Sequence, residues 1–294
     1  MTRSNLSYTN VKECTMEEMA ASVFSQYPEK LEEHLGMAIR TLKEHTMKRI
    51  GITETFDPCF VPDWETKLLE ANIVISKELN DEMIEKLLIV QDRVIFHHTV
   101  TGQGGTILEP NVKSPEHEFE QFKKLLDRGF DYRHYVLRLD PIILWSAETQ
   151  ANIQKVLSMW AKVVEERRQF MRCRVSVVDL YPHVKKRLDE VGFKVFYDSF
   201  TAPDAVFRRV DSLLYPYYGR FQFEACADPK LLPYNILDCG CASYEDLRIL
   251  GVDDKDYGHP DKKQRADCKC LAKKQILGVK PQRCPHGCLY CFWK

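Results

Sequence analysis

From Asn72 onward, short β-branched runs alternate with longer amphipathic segments, and this alternation narrows the possible folds more than any other feature of the chain. The runs Ile73–Ser76, Arg93–Val100, His134–Leu139, Arg172–Val178, Lys194–Tyr197 and Phe221–Ala225 have strand length and composition. Between them, Asn80–Val90, Pro115–Arg128, Ala147–Arg168, Pro182–Val191 and Ala202–Leu214 repeat apolar residues at helical spacing. Strand, helix and strand in succession make the unit of a parallel sheet covered by its own connections. The expectation is an α/β fold: a partial (βα)6-type parallel barrel over residues 61–228, with an N-terminal helical extension over 1–60 and a C-terminal cysteine-rich cluster-binding segment over 229–294. The extension is read from Met16–Tyr27 and from the charged amphipathic run Glu29–Ile50, which Gly51 ends.

The apolar share of 44% over 294 residues is ample for a sizeable core. A formal net charge of −1 gives no global field toward nucleic acid or membrane, leaving only a local basic groove as a route to nucleic acid. No run approaches the ~20 apolar residues of a membrane helix, and Met1–Tyr27 does not read as a signal peptide, so a cytoplasmic, membrane-free protein is expected. Eleven cysteines in a chain of this kind read as metal ligands in preference to disulfides, and the odd count argues against complete pairing.

Three of those cysteines stand at the end, in Cys284-Pro-His-Gly-Cys288-Leu-Tyr-Cys291. One short loop with this three-then-two spacing can wrap a face of a [4Fe-4S] cube, with Gly287 free to turn, and leave the fourth iron without a protein ligand. An open iron can take the amino and carboxylate groups of S-adenosylmethionine, whereas a closed four-thiolate cluster carries electrons only. Zinc is the rival, since thiolate sites are common for it. The triplet, however, has no fourth thiol nearby, and the aromatic Tyr290 precedes its last cysteine.

The Cys-x3-Cys-x2-Cys spacing with Tyr290 resembles the signature of the radical S-adenosylmethionine (radical SAM) superfamily, although most members carry it near the start of the chain. Its terminal position, together with His97-His98-Thr-Val-Thr-Gly102-Gln-Gly-Gly105, Arg138-Leu-Asp140-Pro141 and Asp261-Lys-Lys-Gln-Arg265-Ala-Asp-Cys268-Lys-Cys270, is similar to a domain-of-unknown-function family whose C-terminal cysteines are related to the radical SAM site. That family's N-terminal Arg-Arg-Thr-Asp stretch has no counterpart here. The resemblance implies a cluster on Cys284, Cys288 and Cys291, and S-adenosylmethionine held by Tyr290, Thr101, Gly104, Gly105 and Arg138. It also implies an auxiliary [4Fe-4S] cluster on Cys226, Cys241, Cys268 and Cys270, with Cys239 as a substitute, although structural zinc suits four loop cysteines equally. Cys14, Cys59 and Cys173 read as small apolar fillers.

Polar residues should gather where barrel strands end. His97 and His98 read as one buried and one exposed side chain, and Arg138 and Asp140 as a pair that either bind each other or a ligand. The expected function is reductive cleavage of S-adenosylmethionine to start radical chemistry on an unknown substrate, nucleotide-derived or peptide, fed by an electron donor such as flavodoxin or ferredoxin. The alternative is a non-catalytic protein, stapled by zinc or iron–sulfur, that binds a partner or carries electrons.

Overall fold

The computed structural model describes residues 47–258, 267–278 and 284–292. Every element below lies in the unit Arg49–Lys294. The helices expected before residue 47 lie outside the described residues, as do Cys14 and Lys262–Arg265.

Eight strands form one sheet: β1 (Ile50–Ile52), β2 (Asn72–Ser76), β3 (Val94–Thr99), β4 (Tyr135–Ile142), β5 (Met171–Val177), β6 (Phe221–Ala225), β7 (Leu237–Asp238) and β8 (Lys274–Ile276). Their order is β7-β6-β5-β4-β3-β2-β1-β8, and every pairing is parallel. From β1 to β7 each strand therefore lies beside its predecessor, and the winding never reverses. Five of the six expected strands occur where the pattern puts them. Lys194–Tyr197 is irregular, because β5 and β6 pair directly and leave no slot between them. Ile50 and Gly51, read as the end of a helix, instead sit in β1, which pairs with both β2 and β8.

The connections carry α1 (Asp81–Val90), α2 (Pro115–Asp127), α3 (Ala147–Arg167), α4 (Pro182–Glu190) and α5 (Asp204–Leu214), with a short α6 (Tyr244–Ile249) after β7. Their starts are chemically fixed. Asn80 and Ser114 accept from backbone N–H groups of the first turns of α1 and α2, Pro115 opens α2, and Ser146 with Thr149 forms a reciprocal capping box on α3. Among the described residues, no helix is long and apolar enough to cross a membrane.

The period-two alternation of each strand divides its side chains between two faces. Val74, Phe96, Leu137, Val175 and Phe223 point to the helices and form the main core with Phe122, Ile153, Trp160, Phe207 and Leu214. Ile73, Ile95 and Val136 point the other way, where Ile50, Ile52, Ala242, Leu247 and Leu271 complete a second core. Further along β3 to β6, this second face turns polar. The chain after β6 covers it, so charged residues there are buried.

His97 and His98 are both fully buried, one on each face, correcting the expectation that one would be exposed: helices cover one face of β3 and the post-β7 chain covers the other. On the helix side, His98 lies 2.9 Å from both Glu118 and the Tyr135 hydroxyl, which also accepts from the Trp160 indole N–H at 2.9 Å. Trp160→Ala should cost about 3–5 kcal/mol, from cavity formation plus the loss of one of the two bonds to the Tyr135 hydroxyl. Trp160→Phe, which keeps most of the ring volume, should cost markedly less. Denaturant unfolding monitored by circular dichroism gives both values.

Candidate functional site

The tail docks on loops that follow the first strands. Asp57, just after β1, is buried and accepts from the Ser76 hydroxyl at 2.6 Å and the Lys77 backbone N–H at 2.7 Å, with His286 Nε2 2.8 Å away. Burial opposes ionisation of Asp57, yet the His286 contact and the bonds from Ser76 and the Lys77 N–H together outweigh it, and the carboxyl sits below its ordinary range. Asn111 donates its side-chain N–H to the Pro285 carbonyl at 2.8 Å, and the Leu289 N–H bonds the Leu108 carbonyl at 2.9 Å. Arg187 of α4 reaches the Leu289 carbonyl at 2.9 Å and also the Cys291 carbonyl. Gly287 has a φ of +69°, and a Cβ there would press on Asn111 at 3.3 Å.

These bonds expose Cys284, bury Cys288 and leave Cys291 half-buried. The His286 backbone N–H bonds the Cys284 thiol, although burial still pushes that thiol upward. Burial pushes Cys288 up to about 12 against the pull of Lys77, and both other tail thiols act on it electrostatically. The three sulfurs share one loop but do not form a group within 4.8 Å of one another.

Tyr290 turns inward and is buried. Its hydroxyl donates to Glu109 and accepts from Lys77 Nζ at 2.8 Å, while Lys77 and Thr101 Oγ1 bond the same Glu109 oxygen at 2.8 and 2.7 Å. The Lys77 ammonium also lies 5.4 Å from the centre of the Tyr290 ring. Burial works against the charges of both Lys77 and Glu109. Their mutual attraction prevails, raising the lysine and lowering the carboxyl relative to their ordinary values.

The glycines expected to meet a cofactor shape this loop. Gly105 has a φ of +78° and bonds the Glu109 carbonyl through its N–H, while a Cβ on Gly104 would fall 1.9 Å from the Lys113 carbonyl oxygen. Only a chain without side chains there can fold back to present Glu109.

The second cysteine group lies against the polar face of the sheet. The ligand atoms of Cys226, Cys241 and Cys270 lie within 4.8 Å of one another, the only such group found among the described residues. Cys226 Sγ lies 3.6 Å from Cys270 Sγ, and hydrogen bonding from its neighbouring thiols pulls Cys270 below its ordinary range. Cys239 stands aside, its sulfur on the Gly240 carbonyl at 3.5 Å. Arg138 does not meet the tail. It pairs with Asp140 through Nε at 2.8 Å and points Nη2 at Cys241 Sγ, 3.9 Å away. Asp140 bonds Ser176 and feels the Lys77 charge, so the two cysteine regions are joined electrostatically. His97 is fully buried with neither ring nitrogen hydrogen-bonded, and burial followed by Arg174, Arg138 and Arg172 pushes it well below its ordinary range. Cys173 is a core filler as expected, while Cys59 donates its thiol to the Glu78 carbonyl at 2.8 Å.

Sequence reasoning did not single out Asp57, Lys77, Glu109, Asn111 or Arg187 as site residues. They are isolated polar residues in loops or on a helix, without motif spacing, and only the docking of the tail unites them. His286 lines the loop as the partner of Asp57.

A family model described as a domain of unknown function (DUF1848) matches residues 63–293. No curated protein matches the chain.

Glu109→Gln leaves the Lys77 ammonium buried without its counter-charge, and should cost about 3–5 kcal/mol. The loss should appear as protease cleavage and fast hydrogen exchange in residues 284–292. Lys77→Met in the Glu109→Gln background should restore part of it. Because the Glu109 carboxyl is lowered on folding, its contribution is complete above the ordinary value of 4.5 and lost as pH falls below it. Tail protection should therefore fade in acid in the wild type and be less acid-sensitive in the variant.

Proposed function

The chain belongs to the DUF1848 family, and we propose that it is a radical SAM-type enzyme whose terminal loop holds an open [4Fe-4S] cluster on Cys284, Cys288 and Cys291. The observation that carries this reading is the docking of that loop: Tyr290 is bonded into the Lys77–Glu109 pair, and His286 is bonded to Asp57. A three-thiolate loop fixed in this way, with no fourth thiol from its own segment, suits a cluster that leaves one iron for a small molecule. When bound, the cluster supplies reductive cleavage of S-adenosylmethionine to methionine and a 5′-deoxyadenosyl radical.

The chain's own residues then have distinct tasks. Cys288 and Tyr290 form the buried wall of the loop, while Cys284 is exposed and leaves a cluster there reachable by an electron donor such as flavodoxin or ferredoxin. Thr101 and Tyr290 hold Glu109 in place. Gly104 and Gly105 fold the loop that presents Glu109, and the backbone of that loop would be available to the methionine end of the cofactor. Reductive chemistry of this kind belongs in the cytoplasm, where thiols stay reduced.

The compactness of the Cys226 group supports the second reading, a metal-stapled protein without turnover.

Protein purified without oxygen should carry iron and sulfide and absorb near 400 nm, and should release 5′-deoxyadenosine when given dithionite and S-adenosylmethionine. Cys284→Ala, Cys288→Ala and Cys291→Ala together should remove about four irons per chain and abolish deoxyadenosine. Deoxyadenosine from that triple variant, or a colourless, iron-free wild type, would overturn the proposal.

A further inference from the structure

We infer that Cys226, Cys241, Cys268 and Cys270 hold one divalent metal ion of the zinc class, as a tetrahedral thiolate site that fastens the two ends of the sheet to each other. This inference replaces the auxiliary cluster expected from the sequence, and it stands independently of the radical reading.

The sulfur spacing separates the two possibilities. Cys226 Sγ and Cys270 Sγ are 3.6 Å apart, and Cys241 joins them within 4.8 Å. A tetrahedral ion about 2.3 Å from each sulfur sets its thiolates roughly 3.8 Å apart. In a [4Fe-4S] cube each thiolate sits on a different iron, which spreads the sulfurs by a further iron–iron spacing. The group is therefore the size of a single ion. Cys268 falls outside that 4.8 Å group but interacts with Cys226, and a small movement of its loop would bring it in as the fourth ligand.

The surroundings suit such an ion. Four thiolates and a dication leave a net double negative charge, which needs cations nearby if it is to be buried. Arg138 points at Cys241 from 3.9 Å, Arg174 interacts electrostatically with Cys241, and Lys274 does so with Cys270 and Cys241. The Cys241 backbone N–H donates to Cys270 Sγ at 3.1 Å, an outer-shell bond that orients a thiolate ligand. Soft sulfur donors in this geometry select zinc or iron over the hard cations.

The position of the group gives the ion its task. Cys226 follows β6 and Cys241 follows β7, whereas Cys268 and Cys270 precede β8. β7 and β8 stand at opposite ends of the strand order. The segments touch through the Leu271 N–H on the Ala242 carbonyl at 2.9 Å, and Gly240 packs so tightly that a Cβ would lie 2.6 Å from the Cys270 backbone. One ion bound from both sides ties the β7 end of the sheet to the β8 end.

The test uses the full-length chain carrying Cys284→Ala, Cys288→Ala and Cys291→Ala, so that the tail contributes no iron. That protein should retain about one zinc per chain without labile sulfide, and cobalt in place of zinc should give the intense visible bands of a tetrahedral tetrathiolate site. Cys226→Ser or Cys241→Ser should remove that zinc, and Cys239→Ser should leave it in place. Should the serine variants fail to fold, chelating the metal from the unsubstituted wild type should expose residues 237–278 to protease. Iron with sulfide in the tail-less protein, a single iron without zinc, or no bound metal at all would overturn the inference, and so would zinc that survives Cys226→Ser.

Discussion

The buried charges on the second face of the sheet hold the rest of this architecture in register. Arg172 and Arg174 of β5 both bond Glu224 of the neighbouring β6, and Arg172 also pairs with Asp246 of α6 at 2.8 Å. Arg174 continues to the Gly240 carbonyl. Removing either sign would strand a charge without water, so the set is obligatory once the face is covered. Despite burial, Arg174 and Arg172 hold Glu224 at about 2, leaving it ionised at any physiological pH. Because Arg172 reaches α6 and Arg174 reaches Gly240, the network draws the chain after β7 onto the sheet and brings Cys241 toward Cys226 and Cys270.

The tail follows the same logic at a different place. Cys288 and Tyr290 join the main core, and two buried polar connections fix the segment there: His286 on Asp57, and Tyr290 on Glu109 with Lys77. Both receiving groups lie in loops after the first strands, where a parallel sheet concentrates its variable chemistry. Asp140 lies within electrostatic reach of Lys77 and is bonded to Arg138, which points at Cys241. Charged residues, Lys77, Asp140 and Arg138, thus run between the two cysteine regions.

Much of the scaffold was legible from pattern. Strands β2 to β6 and helices α1 to α5 coincide closely with the β-branched runs and the helical spacing, because hydrophobic periodicity and capping residues are local properties. The exceptions are instructive. Lys194–Tyr197 has strand composition but no free edge to join. The strands β1, β7 and β8, two or three residues each, are too short to carry a pattern, and pairing alone defines them. His98 looked like a residue at a strand end, and only the position of α2 and α3 made it part of a buried network with Glu118, Tyr135 and Trp160.

The sequence alone determined the βα alternation, the helix starts and the identity of the thiols, since composition, capping chemistry and residue spacing are written along the chain. It also put the three tail cysteines on one short loop, because they are neighbours in sequence. Tertiary structure decided which thiols meet across distance: Cys226 and Cys270 come within 3.6 Å although 44 residues separate them. It likewise decided that Arg138 serves the second cysteine group and that Lys77 and Glu109 receive Tyr290. Such contacts are set by strand order and by the need to pair every buried charge, and both become defined only when the whole sheet has assembled.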